Sequence, residues 1–123
     1  MVNNIKILLV DDDPDIVLTF KTGLESNGFE VDSYNDPLLA LKNFKPNFYE
    51  LLLIDIRMPD ITGFEFYQKI SKIDNKAKVC FITAFEVYYR ALLEEFADLE
   101  QKCFIQKPIS IDELVKRIQK ELN

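Results

Sequence analysis

Five side chains that can do chemistry follow the short apolar runs of this 123-residue sequence. Asp11 and Asp12 come directly after the first run, and Asp55, Thr83 and Lys107 come after later ones. Three carboxylates that are held close together repel one another and need a cation. The sequence has no histidine, so we expect an all-oxygen metal site, which favours Mg²⁺, with Mn²⁺ or Ca²⁺ as alternatives.

A metal, a carboxylate, a hydroxyl and a lysine together form a site suited to phosphoryl transfer. The metal neutralises the attacking carboxylate and the phosphoryl oxygens. The lysine ammonium adds a compact positive charge, and the hydroxyl can donate a hydrogen bond. Attack by a carboxylate on a phosphoryl group gives an aspartyl phosphate. Without histidine, Ser/His/Asp catalysis and histidine-based zinc sites are excluded.

The segments between these residues predict a βα unit that is repeated five times. Apolar runs predict strands over residues 6–10, 30–34, 51–54, 79–82 and 103–105. Apolar residues at helical spacing predict helices over 14–26, 38–44, 86–99 and 111–122, and another that begins at Gly63. Asp13 and Asp36, each followed by proline, are predicted N-caps, and Ser110 with Glu113 is predicted to form a capping box.

Buried apolar strands that alternate with amphipathic helices predict an α/β fold. Such a pattern is typical of a parallel sheet that is covered by helices on both faces. Ligands of these sheets bind at the carboxyl ends of the strands. We therefore expect the three aspartates, the threonine and the lysine to meet at one edge of the sheet.

Composition and charge limit the remaining possibilities. A chain of this length is expected to form one domain over residues 1–123. The longest apolar run is four residues, far short of the roughly 20 that a membrane span needs, and no signal peptide is predicted. The net charge of −6 argues against direct nucleic-acid binding by this chain. We therefore expect a cytoplasmic domain without membrane contact.

Four stretches of the sequence resemble the receiver domain of two-component response regulators. They are residues 7–16, 52–63, 82–84 and 104–108, and the resemblance covers essentially the whole chain. It implies a flavodoxin-like (βα)5 fold, in which a parallel five-stranded sheet has the strand order 2-1-3-4-5 between two layers of helices. It also implies a phosphoacceptor signalling domain that catalyses its own phosphorylation and dephosphorylation rather than a dedicated enzyme.

The resemblance implies a metal-binding role for several residues at the sheet edge. Asp55 would be the phosphoacceptor and a ligand of Mg²⁺, with Mn²⁺ as an alternative ion. Asp12 would bind the metal directly and Asp11 through water. The backbone carbonyl of Arg57 would be a further ligand.

The resemblance also implies a catalytic lysine and a conformational switch. Lys107 would pair with the phosphoryl group, and its peptide bond to Pro108 would be cis. Thr83 would move toward the phosphoryl group, and Phe104 would turn inward with it. Phe85 would shield the aspartyl phosphate from water.

The partners that the resemblance implies are proteins. A sensor histidine kinase or a phosphotransfer protein would donate the phosphoryl group, with Val17 and Leu18 as candidates for the docking face. A downstream protein would bind the phosphorylated form, with Phe85, Tyr88 and Tyr89 as candidate contacts. Phosphorylation-dependent homodimerisation is a further option.

Two alternative functions remain open from the sequence. In a haloacid-dehalogenase-like phosphatase, Asp11 and Asp13 would form the Asp-x-Asp motif, and Asp11 rather than Asp55 would be the nucleophile. In a pseudo-receiver, the domain would act as a binding scaffold that never uses Asp55. Turnover of a phosphomonoester would identify the phosphatase.

The two cysteines, Cys80 and Cys103, lie on predicted strands that would be neighbours in this fold. Small buried apolar side chains are the simplest interpretation of both. A redox pair is the alternative.

Overall fold

The computed structural model describes residues 5–84, 94 and 102–123. The strands are β1 (Lys6–Val10), β2 (Glu30–Tyr34), β3 (Leu51–Asp55), β4 (Lys78–Thr83) and β5 (Cys103–Gln106). The helices are α1 (Pro14–Ser26), α2 (Pro37–Lys42), α3 (Gly63–Ser71) and α4 (Ile111–Leu122). The helix predicted over 86–99 lies outside the described residues except for Glu94, which is helical. Within these ranges, no helix is long and apolar enough to cross a membrane.

The five strands form one sheet in the order β2-β1-β3-β4-β5, which confirms the predicted fold. Every pairing is parallel. Val10 lies beside Ile54 in the register, and Asp55 lies beside Ile82. The carboxyl ends of the central strands therefore meet at one edge, where Asp11 directly follows β1.

Alternating side chains of the strands pack into two apolar cores, one on each face of the sheet. On one face Leu8 and Leu52 pack with Phe64, Phe66 and Ile70 of α3. The opposite face packs α1 and α4 against the sheet, and its buried members include Ile7, Leu9, Leu51, Leu53, Phe20, Leu24, Leu114 and Ile118. All five residues of β3 are buried, so the strand that ends in Asp55 is enclosed by both cores.

The strands extend beyond their apolar runs, which places two candidate site residues inside the sheet. β3 ends at Asp55 and β4 at Thr83, one residue later than predicted in each case. The ladder joins backbone groups, so a polar side chain at the end of a strand does not interrupt it. α2 is shorter than predicted: it ends at Lys42, and the Asn43 N–H donates to the Leu39 carbonyl.

The two predicted aspartate caps are confirmed. The Asp13 carboxylate accepts from the Asp15 N–H at 2.9 Å, and the Asp36 carboxylate accepts from the Leu38 N–H at 3.0 Å. These bonds satisfy N–H groups that the first turn of each helix leaves without an internal partner.

Hydroxyl caps begin the other two helices. At α3 a full capping box, which the sequence analysis missed, joins Thr62 and Glu65 through bonds of 3.1 and 2.9 Å. At α4 the Ser110 hydroxyl accepts from the Glu113 N–H at 3.1 Å, which is one half of the predicted box. The Glu113 carboxylate lies 3.8 Å from Lys116 Nζ.

Gly63 brings the start of α3 directly against the end of β3. Its N–H donates to the Ile56 carbonyl at 2.8 Å. A Cβ at this position would clash with the Asp55 backbone carbonyl oxygen and lie 2.9 Å from Ile56 Cα. Both obstacles are backbone atoms, which cannot rotate away, so the position of Asp55 depends on the absence of a side chain at residue 63.

We expect Gly63→Ala to destabilise the domain by about 1–3 kcal/mol, the usual cost of overpacking, and to displace the Asp55 backbone. Urea unfolding and backbone amide NMR shifts near Asp55 measure the two effects. Gly23→Ala is the matched control, because its Cβ would meet only the Ile111 side chain, at 2.6–2.8 Å. Equal costs for the two substitutions, or unchanged shifts near Asp55 in Gly63→Ala, would contradict this explanation.

Candidate functional site

A pocket of about 270 Å³ lies at the carboxyl edge of the sheet. Its lining combines four carboxylates with two cationic residues and one small residue, namely Asp11, Asp12, Asp13, Asp55, Arg57, Ala84 and Lys107. Asp11 is fully buried and Asp55 is 4% exposed, whereas Asp12 is exposed. The sequence therefore identified most of the lining residues, although it missed Ala84.

Three carboxylates converge in this pocket. Asp11, Asp12 and Asp55 each offer an oxygen, and these oxygens all lie within 4.8 Å of one another. The Asp11 carboxylate is further held by the Asp13 N–H, which donates to its Oδ1 at 3.0 Å. Oxygen donors at this spacing suit a hard divalent cation such as Mg²⁺, which also keeps several water ligands. The open side of the pocket leaves room for those ligands.

The ammonium group of Lys107 lies close to both buried carboxylates. Among the described residues that line the pocket, no other has an ammonium group. The Nζ of Lys107 lies 3.0 Å from Asp11 Oδ2 and 3.7 Å from Asp55 Oδ1. Its backbone N–H donates to the Thr83 carbonyl at 2.8 Å, so the sheet fixes the base of the side chain. The peptide bond between Lys107 and Pro108 is cis, as the resemblance implied.

Burial shifts the ionisation of the site. Burial, followed by the charge of Asp11, raises the pKa of Asp55 to about 8. Burial also raises the pKa of Asp11, although the Asp13 N–H and Lys107 oppose it. Burial would lower the pKa of Lys107, but the charges of Asp55 and Asp11 outweigh that effect and raise it. Metal binding requires ionised ligands, and with all three clustered carboxylates ionised the Lys107 ammonium leaves about two negative charges uncompensated, which one divalent cation would neutralise.

The two predicted switch residues lie on neighbouring strands, Thr83 at the end of β4 and Phe104 near the start of β5. Thr83 is 2% exposed at the end of β4, next to Ala84 in the pocket wall. Phe104 is partly buried on β5, where its ring stacks on Phe81 with centroids 5.5 Å apart and meets the edge of Phe64 at 6.0 Å. The switching role of both residues stays a prediction.

Asp13 does not join the acidic cluster. Its Oδ1 is engaged by the Asp15 N–H at the start of α1, and the three clustered carboxylates are those of Asp11, Asp12 and Asp55. The Asp-x-Asp pair that a phosphatase would use is therefore divided between a buried carboxylate and a helix cap.

A second, apolar pocket of about 450 Å³ lies beside the acidic one. It is lined by Ile16, Thr19, Phe20, Ala84, Lys107, Pro108 and Ile109. The first three of these residues belong to α1. On that helix, the side chain of Leu18 is 66% exposed, while Val17 packs against the core. Of the two candidate docking residues, only Leu18 presents its side chain mainly to solvent. The candidate contacts Phe85, Tyr88 and Tyr89 lie outside the described residues.

The chain matches the family model described as the response regulator receiver domain over residues 7–119. The transcriptional regulatory protein CpxR homolog of Haemophilus influenzae is 36% identical over 93% of this chain and 48% of its own length. The response regulator receiver protein CpdR of Brucella abortus is 31% identical over 95% of this chain and 96% of its own length. The chain therefore spans about half of one relative and nearly all of the other.

A solved structure agrees with the sequence comparison. The response regulator protein TrrA of Thermotoga maritima, in complex with Mg(2+)-BeF, is 34% identical and has a TM-score of 0.79. The match covers 96% of this chain and 99% of that one. Fold, strand order and sequence thus lead to the same assignment: the chain belongs to the response regulator receiver domain family.

Proposed function

We propose that this domain accepts a phosphoryl group on Asp55 in a Mg²⁺-dependent reaction, and that the modified domain signals to a partner protein. The observation that carries the proposal is the position of the Asp55 carboxylate. It is buried at the end of the central strand, within 4.8 Å of two other carboxylates and 3.7 Å from an ammonium, on the wall of an open pocket.

Asp55 acts as the nucleophile in the proposed reaction. One carboxylate oxygen attacks the phosphorus, a new O–P bond forms, and the bond from phosphorus to the donor breaks with its electron pair leaving on the donor. A bound Mg²⁺ supplies positive charge that lowers the repulsion between the carboxylate and the phosphoryl oxygens. Asp11, Asp12, Asp55 and the Arg57 carbonyl are the groups that would hold this ion.

In the proposed reaction, Lys107 would bind the phosphoryl group through its ammonium. In the unmodified domain its ammonium is paired with Asp11 and lies near Asp55. A phosphoryl group on Asp55 adds charged oxygens within reach of the same Nζ, so the ammonium would exchange part of its carboxylate pairing for a phosphoryl oxygen. A compact charge on a flexible stem suits this change of partner.

Thr83 and Phe104 would carry the change to the surface. The Thr83 hydroxyl lies at the end of the strand beside Asp55 and would donate a hydrogen bond to a phosphoryl oxygen. Phe104 is held between the core and the surface, so a small free-energy difference can decide its orientation. The phosphorylated state would then be the one that presents the binding face to a downstream protein.

The proposed phosphodonor is a sensor histidine kinase or a phosphotransfer protein. The apolar pocket beside the acidic site and the exposed Leu18 support docking at this end of α1. A partner that covers both would bring its phosphorylated side chain to the acidic pocket, because Lys107 and Ala84 line both pockets.

Phosphorylation by acetyl phosphate tests the proposal without the cognate kinase. We expect intact-mass spectrometry to show one phosphoryl adduct that needs Mg²⁺ and is lost in alkali, since acyl phosphates hydrolyse there. Asp55→Asn should show no adduct. Asp13→Asn is the matched control, because it removes a carboxylate from the same pocket while asparagine still caps α1; its labelling should resemble that of the wild type.

The outcomes separate the candidate functions. An adduct that persists in Asp55→Asn would move the nucleophile to another carboxylate and contradict the proposal. No adduct on a wild-type domain that binds Mg²⁺ would favour the pseudo-receiver scaffold.

The raised pKa of Asp55 predicts an unusual stability change in the metal-free domain. A carboxyl group with a higher pKa in the folded than in the unfolded state stabilises the fold fully below its unfolded pKa. That stability is lost as pH rises toward the folded pKa of about 8. With a chelator present, Asp55→Asn should therefore be more stable than the wild type near neutral pH, by on the order of 4 kcal/mol.

Urea unfolding as a function of pH measures this effect. The difference should shrink as pH falls toward about 4, and added Mg²⁺ should stabilise the wild type more than Asp55→Asn. Asp13→Asn serves as the control for removing one negative charge. A wild type that is more stable than Asp55→Asn at every pH in chelator would refute the proposed charge strain.

A further inference from the structure

A second cluster of reactive groups lies at the opposite edge of the sheet from the acidic pocket. Cys103 begins β5 and is the register partner of Cys80 on β4. The two sulfurs and a carboxylate oxygen of Glu121 all lie within 4.8 Å of one another. Neither cysteine takes part in a disulfide, and the proposed phosphoryl transfer uses neither of them.

Arg117 of α4 binds the sulfur of Cys103 directly. Its Nη2 donates to Cys103 Sγ at 3.4 Å and to the Phe104 carbonyl at 3.1 Å. A guanidinium stays charged at any ordinary pH, and a nearby positive charge stabilises a thiolate over a thiol. The geometry therefore favours the ionised form of Cys103.

The two cysteines differ in their ionisation. A hydrogen bond from the Cys80 thiol, together with Arg117, lowers the pKa of Cys103, although burial and Glu121 oppose this. The same hydrogen bond and burial raise the pKa of Cys80. Cys103 is therefore the thiol of the pair that ionises more readily, and Cys80 is the one that keeps its proton.

The two cysteines also differ in access. Cys103 is only 7% exposed, but it lines a pocket of about 260 Å³, whereas Cys80 is fully buried and does not line that pocket. Three lysines line the same pocket, Lys76, Lys78 and Lys102, together with one carboxylate, that of Glu121. The lysine charges add to that of Arg117 and disfavour a metal cation, so the cluster suits a reactive thiolate better than a metal site.

We propose that Cys103 is a modification site at which small peroxides oxidise the sulfur to a sulfenic acid. The thiolate attacks one peroxide oxygen, an S–O bond forms, and the O–O bond breaks. The attacked oxygen keeps its hydrogen and becomes the sulfenic acid hydroxyl, while hydroxide, or an alkoxide from an organic hydroperoxide, leaves with the electron pair. The proton that the thiol lost on ionising neutralises the leaving group, which gives water or an alcohol. The sulfur is oxidised and the peroxide is reduced, so no other reactant is needed.

The site lies next to the predicted switch residue. Arg117 Nη2 is shared between Cys103 Sγ and the Phe104 carbonyl. An oxygen added to the sulfur therefore competes for the donor that also binds the backbone of residue 104.

Single-cysteine variants of the full chain test the proposal. Cys80→Ser leaves Cys103 as the only thiol and keeps a hydroxyl that can donate to its sulfur. We expect hydrogen peroxide with dimedone to give one dimedone adduct on Cys103 in this variant. In Cys103→Ala, the remaining Cys80 should stay unmodified under the same conditions.

The pH dependence of iodoacetamide alkylation tests the thiolate itself. In Cys80→Ser the midpoint of the rate should lie below the value of about 8.5 for a free cysteine. The groups that face the sulfur are Arg117 and Glu121 from α4, the hydroxyl at residue 80 and the lysines that line the pocket. Adding Arg117→Gln should raise the midpoint and slow the reaction near neutral pH by roughly fivefold or more, and Arg117→Lys should restore part of the rate.

Two results would overturn the proposal. One is a midpoint at or above that of free cysteine in Cys80→Ser, with melting curves showing that the variant is folded. The other is a dimedone adduct that forms no faster on Cys103 than on Cys80 in the two single-cysteine variants.

Discussion

Two buried carboxylates share one ammonium at the carboxyl edge of the sheet, and the domain is arranged to keep them there. Asp11 and Asp55 would each gain free energy by moving into water, because burial disfavours their charged forms. They stay buried because β1 and β3 pass through the two apolar cores and end side by side. The apolar packing thus supplies the free energy that holds the two acidic groups together, and their charge is what would attract the proposed cation.

The parallel sheet is what allows residues far apart in the sequence to share this edge. Lys107 is 96 residues from Asp11, yet its Nζ lies 3.0 Å from the aspartate. Each strand runs in the same direction and brings the residue that follows it to the same edge, so one architecture positions the proposed nucleophile, the proposed metal ligands and their counter-ion. The close contact between Gly63 and the backbone of Asp55 further restricts where the Asp55 backbone can lie.

Much of this arrangement could be predicted from local patterns. The apolar runs predicted all five strands, and the Asp-Pro pairs predicted the starts of α1 and α2. The residue types at the strand ends predicted which side chains meet. The distances among them could not be predicted, because they depend on register and on side-chain burial, which are set by contacts between distant segments. The capping box at α3 was not predicted, although its Thr-x-x-Glu signature at Thr62 and Glu65 is present in the sequence.

The two edges of the sheet differ in the sign of the charge that surrounds their ionisable groups. At the carboxyl edge, negative charges are in excess and one cation is shared among them. At the amino edge of β4 and β5, cationic side chains surround a pair of sulfurs. Arg117 of α4 links this group of charges to the strand of the predicted switch residue, because its guanidinium also donates to the backbone carbonyl of Phe104.

The central position of β3 has a consequence for hydrogen exchange. This strand is bonded to β1 on one side and β4 on the other, and all five of its residues are buried. Amides in such a position exchange with solvent chiefly through global unfolding, whereas an edge strand such as β5 can open locally. We therefore expect Asp55 to be attached to the slowest-exchanging strand, whereas Lys107 follows a strand with one neighbour in the sheet. A rearrangement of the site would then cost least when the segment of Lys107 moves and Asp55 stays fixed.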